Sequence, residues 1–186
     1  MPNINGIKKT MRKQGIPAEL VSQFHESADA LRPESIVAFI NQMDTLLSKK
    51  QILSIMQEQG CSKSAKVAAP FREFGRIHAD KTIEEKVKLM PELDTPHRAP
   101  CHLNPDGTLS IYWGTGEEGN YQCVCSKNPK TSEPVSLTFC GCCGGHVRFT
   151  YQNALGVNLR LKEIVSSPIS SDGKKRCEFL FEIIKP

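Results

Sequence analysis

Residues 140–165 read CGCCGGHVRFTYQNALGVNLRLKEIV, and the stretch changes its period half-way along. Val147, Tyr151 and Leu155 recur every four positions, the spacing of one helical face. Gly156 follows, a residue suited to the left-handed position that ends a helix. Beyond it Val157, Leu159 and Leu161 alternate with polar residues, which is the period of a strand. The spacing therefore predicts a helix from about Cys142 to Leu155, leading into a strand. A helix that buries one face against an adjoining sheet marks this half of the chain as α+β.

The pattern extends in both directions. Downstream, 166–174 reads as a loop with Asp172-Gly173 at its turn, and Cys177, Phe179, Phe181 and Ile183 alternate as a last strand. Glu163 falls in phase with Leu161 and Val165, which makes it a candidate site residue on an apolar face. Upstream, Asn104-Pro105-Asp106-Gly107 is a turn signal. Leu109, Ile111 and Trp113 alternate as a strand, 114–119 supplies a turn, and Tyr121, Cys123 and Cys125 share one face of an expected second strand. A polar loop covers 128–134. The segment 91–106 is punctuated by Pro91, Pro96 and Pro100 and reads as a linker carrying His97, Cys101 and His102. It is placed to cover a pocket.

The first half reads as helices. Pro17 stands as a first helical residue before Leu20, Phe24, Ala28 and Leu31 at helical spacing. Pro33 opens a second helix with Ile36, Val37, Ile40, Met43 and Leu47 on one face. A third carries Ile52, Leu53 and Met56 and is stopped by Gly60. The stretch 64–78 is interrupted by Pro70. Thr82 and Glu85 have capping-box spacing ahead of Ile83, Val87 and Leu89. The expected architecture is α+β, with N-terminal helices followed by an antiparallel sheet with a packed helix. A helical region, 1–95, precedes a cysteine-rich α+β region, 96–186, and the two are read as one compact unit.

The chain has 186 residues and eight cysteines, with 24 Lys and Arg against 20 Asp and Glu. A chain this long buries a core without covalent staples, so the cysteines call for another explanation. The charges are interspersed and the longest basic run is Lys174-Lys175-Arg176, which argues against a nucleic-acid partner. No apolar leader opens the sequence and no stretch is long enough for a membrane span, so the expected location is the cytoplasm, with no membrane partner. In a reducing compartment clustered cysteines read as metal ligands or reactive groups rather than disulfides.

Cys123, Cys125, Cys140 and Cys143 form two close pairs separated by a loop, the logic of a tetrahedral zinc site. They are the candidate metal ligands, with zinc as the candidate cofactor. Cys142 and His146 are four residues apart and share a helical face. Near a helix start flanked by Gly141, Gly144 and Gly145, they are the candidate catalytic thiol and base. The glycines are expected to leave room for a ligand. Buried, inert cysteines are the remaining reading. Cys61 is placed at a helix end, and Cys177 in the core.

Four segments carry a resemblance: Cys123-Val124-Cys125-Ser126-Lys127, Phe139-Cys140-Gly141-Cys142-Cys143-Gly144-Gly145, Ala154-Leu155-Gly156-Val157, and the stretch from Ser171 to Phe179. Over about residues 120–184 the chain resembles a group of bacterial proteins, frequent in clostridia, that are likened to L-2-amino-thiazoline-4-carboxylate hydrolases. Its end also looks like 4-vinyl-reductase-type domains, small-molecule-binding modules of which some bind zinc through cysteines. The resemblance implies a ligand pocket between sheet and helices. The zinc pattern of those domains has a cysteine shortly before the last one. Here Ser166, Ser167, Ser170 and Ser171 occupy that region, which leaves the upstream cysteines as the metal candidates.

The sequence thus predicts a small-molecule-binding domain with a cysteine-rich, possibly zinc-bound pocket. The alternatives are a cysteine-dependent hydrolase of a small thio- or amino-acid-like substrate, and an interaction module with structural zinc.

Overall fold

The computed structural model of the chain describes residues 3–24, 33–125 and 135–184. Seven helices and a four-stranded antiparallel sheet occur among them, as the α+β reading requires. The helices are α1 (Ile4–Lys13), α2 (Ala18–Ser22), α3 (Pro33–Leu46), α4 (Lys49–Met56), α5 (Ala65–Ile77), α6 (Ile83–Leu89) and α7 (Gly141–Leu155). The strands are β1 (Cys101–Leu103), β2 (Leu109–Trp113), β3 (Asn158–Ser166) and β4 (Cys177–Ile184), in the order β1-β2-β4-β3.

Local chemistry sets most helix ends. The Ser48 hydroxyl caps α4 and Thr82 caps α6, each with a reciprocal bond from the residue three positions on. Asn3 caps α1, whose Ile4, Ile7 and Met11 are buried. That helix has a plain signal, a cap followed by apolar residues on one face, which the opening residues were not credited with. Helix α5 runs unbroken through Pro70 because Ala68, Phe71 and Phe74 bury one face. Pro17 stands one position outside α2, and Ala28 and Leu31 lie outside the described residues.

Two expectations in the second half are corrected. Strand β1 lies inside the stretch taken for a linker, joined to β2 by the 104–107 turn, where the Gly107 N–H donates to the Asn104 carbonyl at 2.9 Å. Tyr121, Cys123 and Cys125 form no strand. Both edges of β2 are already filled, by β1 and by β4, so no edge is open to a returning chain. Among the described residues a bridge between Thr115 and Gln122 and a bond from the Tyr121 N–H to the Gly173 carbonyl tie that segment down. In β3 the pairing with β4 slips after Leu161. The slip changes which residues face inward, so that Leu159, Leu161, Ile164 and Ser166 are buried and Val165 is exposed. Glu163 is thereby turned from the core toward Lys49, whose Nζ is 3.0 Å away.

Two apolar cores flank the start of α7. The sheet, α5 and most of α7 enclose one, which contains Cys140. Helices α1 to α4 enclose the other, which contains Phe139 and Cys142. Successive residues at the α7 N-terminus therefore plug into different cores. At its far end Gly156 takes the left-handed conformation at φ 70°, and the buried Lys86 ammonium donates to the Leu155 carbonyl at 3.1 Å.

The glycines of α7 do not leave space. A methyl group on Gly144 would press on Phe179 and Leu161 at 3.1 and 3.3 Å, and one on Gly141 would meet the Met56 side chain at 2.6 Å. At Gly145 it would stand 1.8 Å from the Gln59 carbonyl oxygen and 2.8 Å from that of Gln57. These positions bring backbone against sheet and loop, the tight-packing role of glycine rather than the cavity-making one. Gly145→Ala is accordingly expected to destabilise the fold by roughly 3 kcal/mol, since rigid backbone must move. Gly15→Ala, where only the φ of 74° is strained, should cost about 1 kcal/mol. Urea unfolding of both variants checks the contrast.

Candidate functional site

A cavity of about 190 Å³ opens beside the first turn of α7. Helix α7 contributes Cys142, Cys143 and His146, and Phe139 precedes it. Cys61 and Ser62 come from the segment after α4, His97 from the segment before β1, and Trp113 from the end of β2. Val124 and Cys125 close the remaining side. A wider hollow of about 610 Å³ beside Ala38, Asn41 and Thr45 carries neither thiol nor imidazole.

Backbone geometry explains how separate segments converge here. The absent side chain at Gly145 admits the Gln59 carbonyl, and two residues later the chain reaches Cys61 and Ser62. On the opposite wall the Tyr151 hydroxyl holds Ala99 by both backbone groups. It accepts from the Ala99 N–H at 3.0 Å and donates to the Ala99 carbonyl. Ala99 is buried, and His97, two residues earlier, is set with its ring centre 5.4 Å from that of His146. Trp113 lies edge-on to His146 from a third direction, at 5.3 Å.

His146 is 4% exposed. Its Nδ1 lies 3.2 Å from the Ser62 carbonyl oxygen. A carbonyl only accepts, so Nδ1 carries the proton and Nε2 carries the lone pair. Nε2 is buried and has no hydrogen-bond partner among the described residues. Burial moves the imidazole pKa down, which keeps the ring neutral near pH 7 and the lone pair available.

Cys61 and Cys142 line the same cavity. Cys142 is 3% exposed and Cys61 is exposed, so the charged form belongs on Cys61 and the proton on Cys142. The neighbouring Cys142 S–H lowers the Cys61 pKa to about 5. The proximity of Cys61, together with burial, pushes the Cys142 thiol up, and burial pushes Cys143 up as well.

Of the two expected cysteine pairs, Cys125 and Cys143 line the same cavity. The buried Cys140 is engaged by Cys177 and Ser167, and the bond it receives from Cys177 lowers its pKa. Cys177, held in the core as expected, is pushed up. Among the described residues no three His, Cys, Asp or Glu side chains converge as a metal-holding group.

His102 is exposed on β1, and His78 packs edge-on against Phe74 at 4.5 Å. His25 lies outside the described residues. Sequence reasoning placed Cys142, His146 and His97 at the pocket and overlooked Cys61, Ser62 and Trp113. Cys61 follows the helix-stopping Gly60 directly, and that adjacency to a sharp turn was its only signal.

No family model, curated protein or solved structure matches this chain.

Iodoacetamide should label Cys61 ahead of the other cysteines, with a rate that rises with pH through a midpoint near 5, because only the thiolate reacts. Cys142→Ala removes the donor. The midpoint then moves up toward the ordinary thiol value of about 8.5. Peptide mapping across pH 4–9 (about 4 to 9, spanning both midpoints) measures the shift.

Proposed function

We propose that this chain binds a small molecule in the cavity beside α7, and that the ligand presents an N–H or O–H group to Nε2 of His146. The observation that supports this most directly is the buried, unpartnered lone pair. Leaving a buried acceptor unsatisfied costs about 1–3 kcal/mol, and a ligand's donor relieves that cost. The surroundings fit the usual composition of such sites, aromatic and apolar walls around a few fixed polar groups. An apolar cavity of about 150 Å³ accommodates benzene, so the space here suits a single ring or a chain of similar bulk. The Cys61 sulfur borders the same space, which puts a thiol within reach of whatever is bound.

Trp113 is the only tryptophan of the chain and lines the cavity, so its fluorescence reports occupancy. Phenol is the probe, with anisole as the ether that lacks the hydroxyl. Phenol should give a saturable change in Trp113 fluorescence, and anisole should bind about fivefold more weakly, the equivalent of one hydrogen bond near 1 kcal/mol. His146→Leu should erase the preference. An absent saturable response, or a preference that survives His146→Leu, overturns the proposal.

A further inference from the structure

We infer that Cys61 and Cys142 form a dithiol site that reduces a small disulfide bound in this cavity. The inference rests on the reading of the cavity as a ligand site and assigns it a substrate class. Three features converge on it. The two cysteines line the same cavity, although their residues lie far apart in the chain. They differ in access, for Cys61 is exposed whereas Cys142 is 3% exposed. The unpartnered Nε2 of His146, one helical turn from Cys142, borders the same space as a neutral base.

This asymmetry matches the order of events in thiol–disulfide exchange. The Cys61 thiolate attacks one sulfur of the substrate R–S–S–R. A Cys61–S–S–R bond forms, the substrate S–S bond breaks, and R–S⁻ leaves and takes a proton from solvent. Cys142 then gives its proton to Nε2 of His146 and attacks the Cys61 sulfur. The Cys61–Cys142 disulfide forms, the mixed disulfide breaks, and the second R–S⁻ leaves with the proton held by His146. Two electrons pass from the protein thiols to the substrate, which departs as two thiols. The shared cavity keeps the resolving sulfur near the attacking one. Cys143 and Cys125 border the cavity as well, but only Cys142 stands one helical turn from His146, on the same helix face. Cys140 and Cys177 form a second thiol pair, set in the sheet core with each residue under 5% exposed, where no substrate reaches.

The test uses the full chain and bis(2-hydroxyethyl) disulfide as probe, with peptide mapping by mass spectrometry at pH 6, about one unit above the Cys61 midpoint. The wild-type chain should yield a Cys61–Cys142 crosslink and release two equivalents of mercaptoethanol. Cys142→Ser should stop at a mixed disulfide on Cys61 and react about tenfold more slowly. Cys61→Ser should leave Cys142 unmodified. A crosslink between other cysteines overturns the inference, as does stable accumulation of the mixed disulfide on wild-type Cys61. So does a Cys61 rate no faster than in the urea-unfolded chain. The wild-type arms need no variant to fold. Phenol binding measured in parallel separates the two levels: a normal Trp113 response without crosslinking defeats the dithiol chemistry alone, and loss of both defeats the ligand site as well.

Discussion

The contact between Gly145 and the Gln59 carbonyl is the constraint on which the site depends. It lets the loop after α4 lie directly on the first turns of α7, closer than any side chain would allow. From that contact follow the meeting of Cys61 with Cys142 and the bond between Ser62 and His146. The same turn is anchored on its other side by Gly144 against Phe179 and Leu161 of the sheet. The α7 side of the cavity is thus fixed by close packing of glycine against backbone and core side chains. Its polar groups are fixed before any ligand arrives, which lowers the cost of binding.

Charge placement follows from burial. Burial favours the neutral thiol at Cys142 and Cys143, whereas Cys61, at the mouth, has solvent to support a thiolate. His146 obeys the same rule in the opposite sense, because its burial disfavours the cation. A neutral base and an anionic sulfur therefore coexist within one small space. At the helix start the expected macrodipole effect is outweighed, at Cys142 by the neighbouring Cys61 together with burial and at Cys143 by loss of solvent.

Most of the fold was legible because its determinants are local. The capping pair Thr82–Glu85, the four-residue recurrence of Val147, Tyr151 and Leu155, and the terminal Gly156 each act within a few residues. Misreadings occurred where a distant partner decides the outcome. The alternation at Tyr121, Cys123 and Cys125 satisfies strand periodicity, yet β4 occupies the edge it would need. Glu163 looked inward until the slip between β3 and β4 turned it to Lys49. In the site, Cys142 and His146 were visible as a pair on one helix face. Cys61 was not, because its role depends on a carbonyl approaching a glycine more than eighty positions away, and no local pattern encodes that approach.

The strand order has a consequence for the chain as it is made. β2 is central to the sheet, but its partner β4 is close to the C-terminus, with Trp113 and Cys177 paired across 64 positions. At ribosomal rates of 5–20 residues per second, roughly 3–13 s separate the emergence of the two. Until α7 follows, Leu109 and Ile111 lack its cover, and throughout the interval one side of β2 offers unpaired backbone groups. The nascent chain thus exposes a sticky edge at the very strand that ends in Trp113, until β4 closes it.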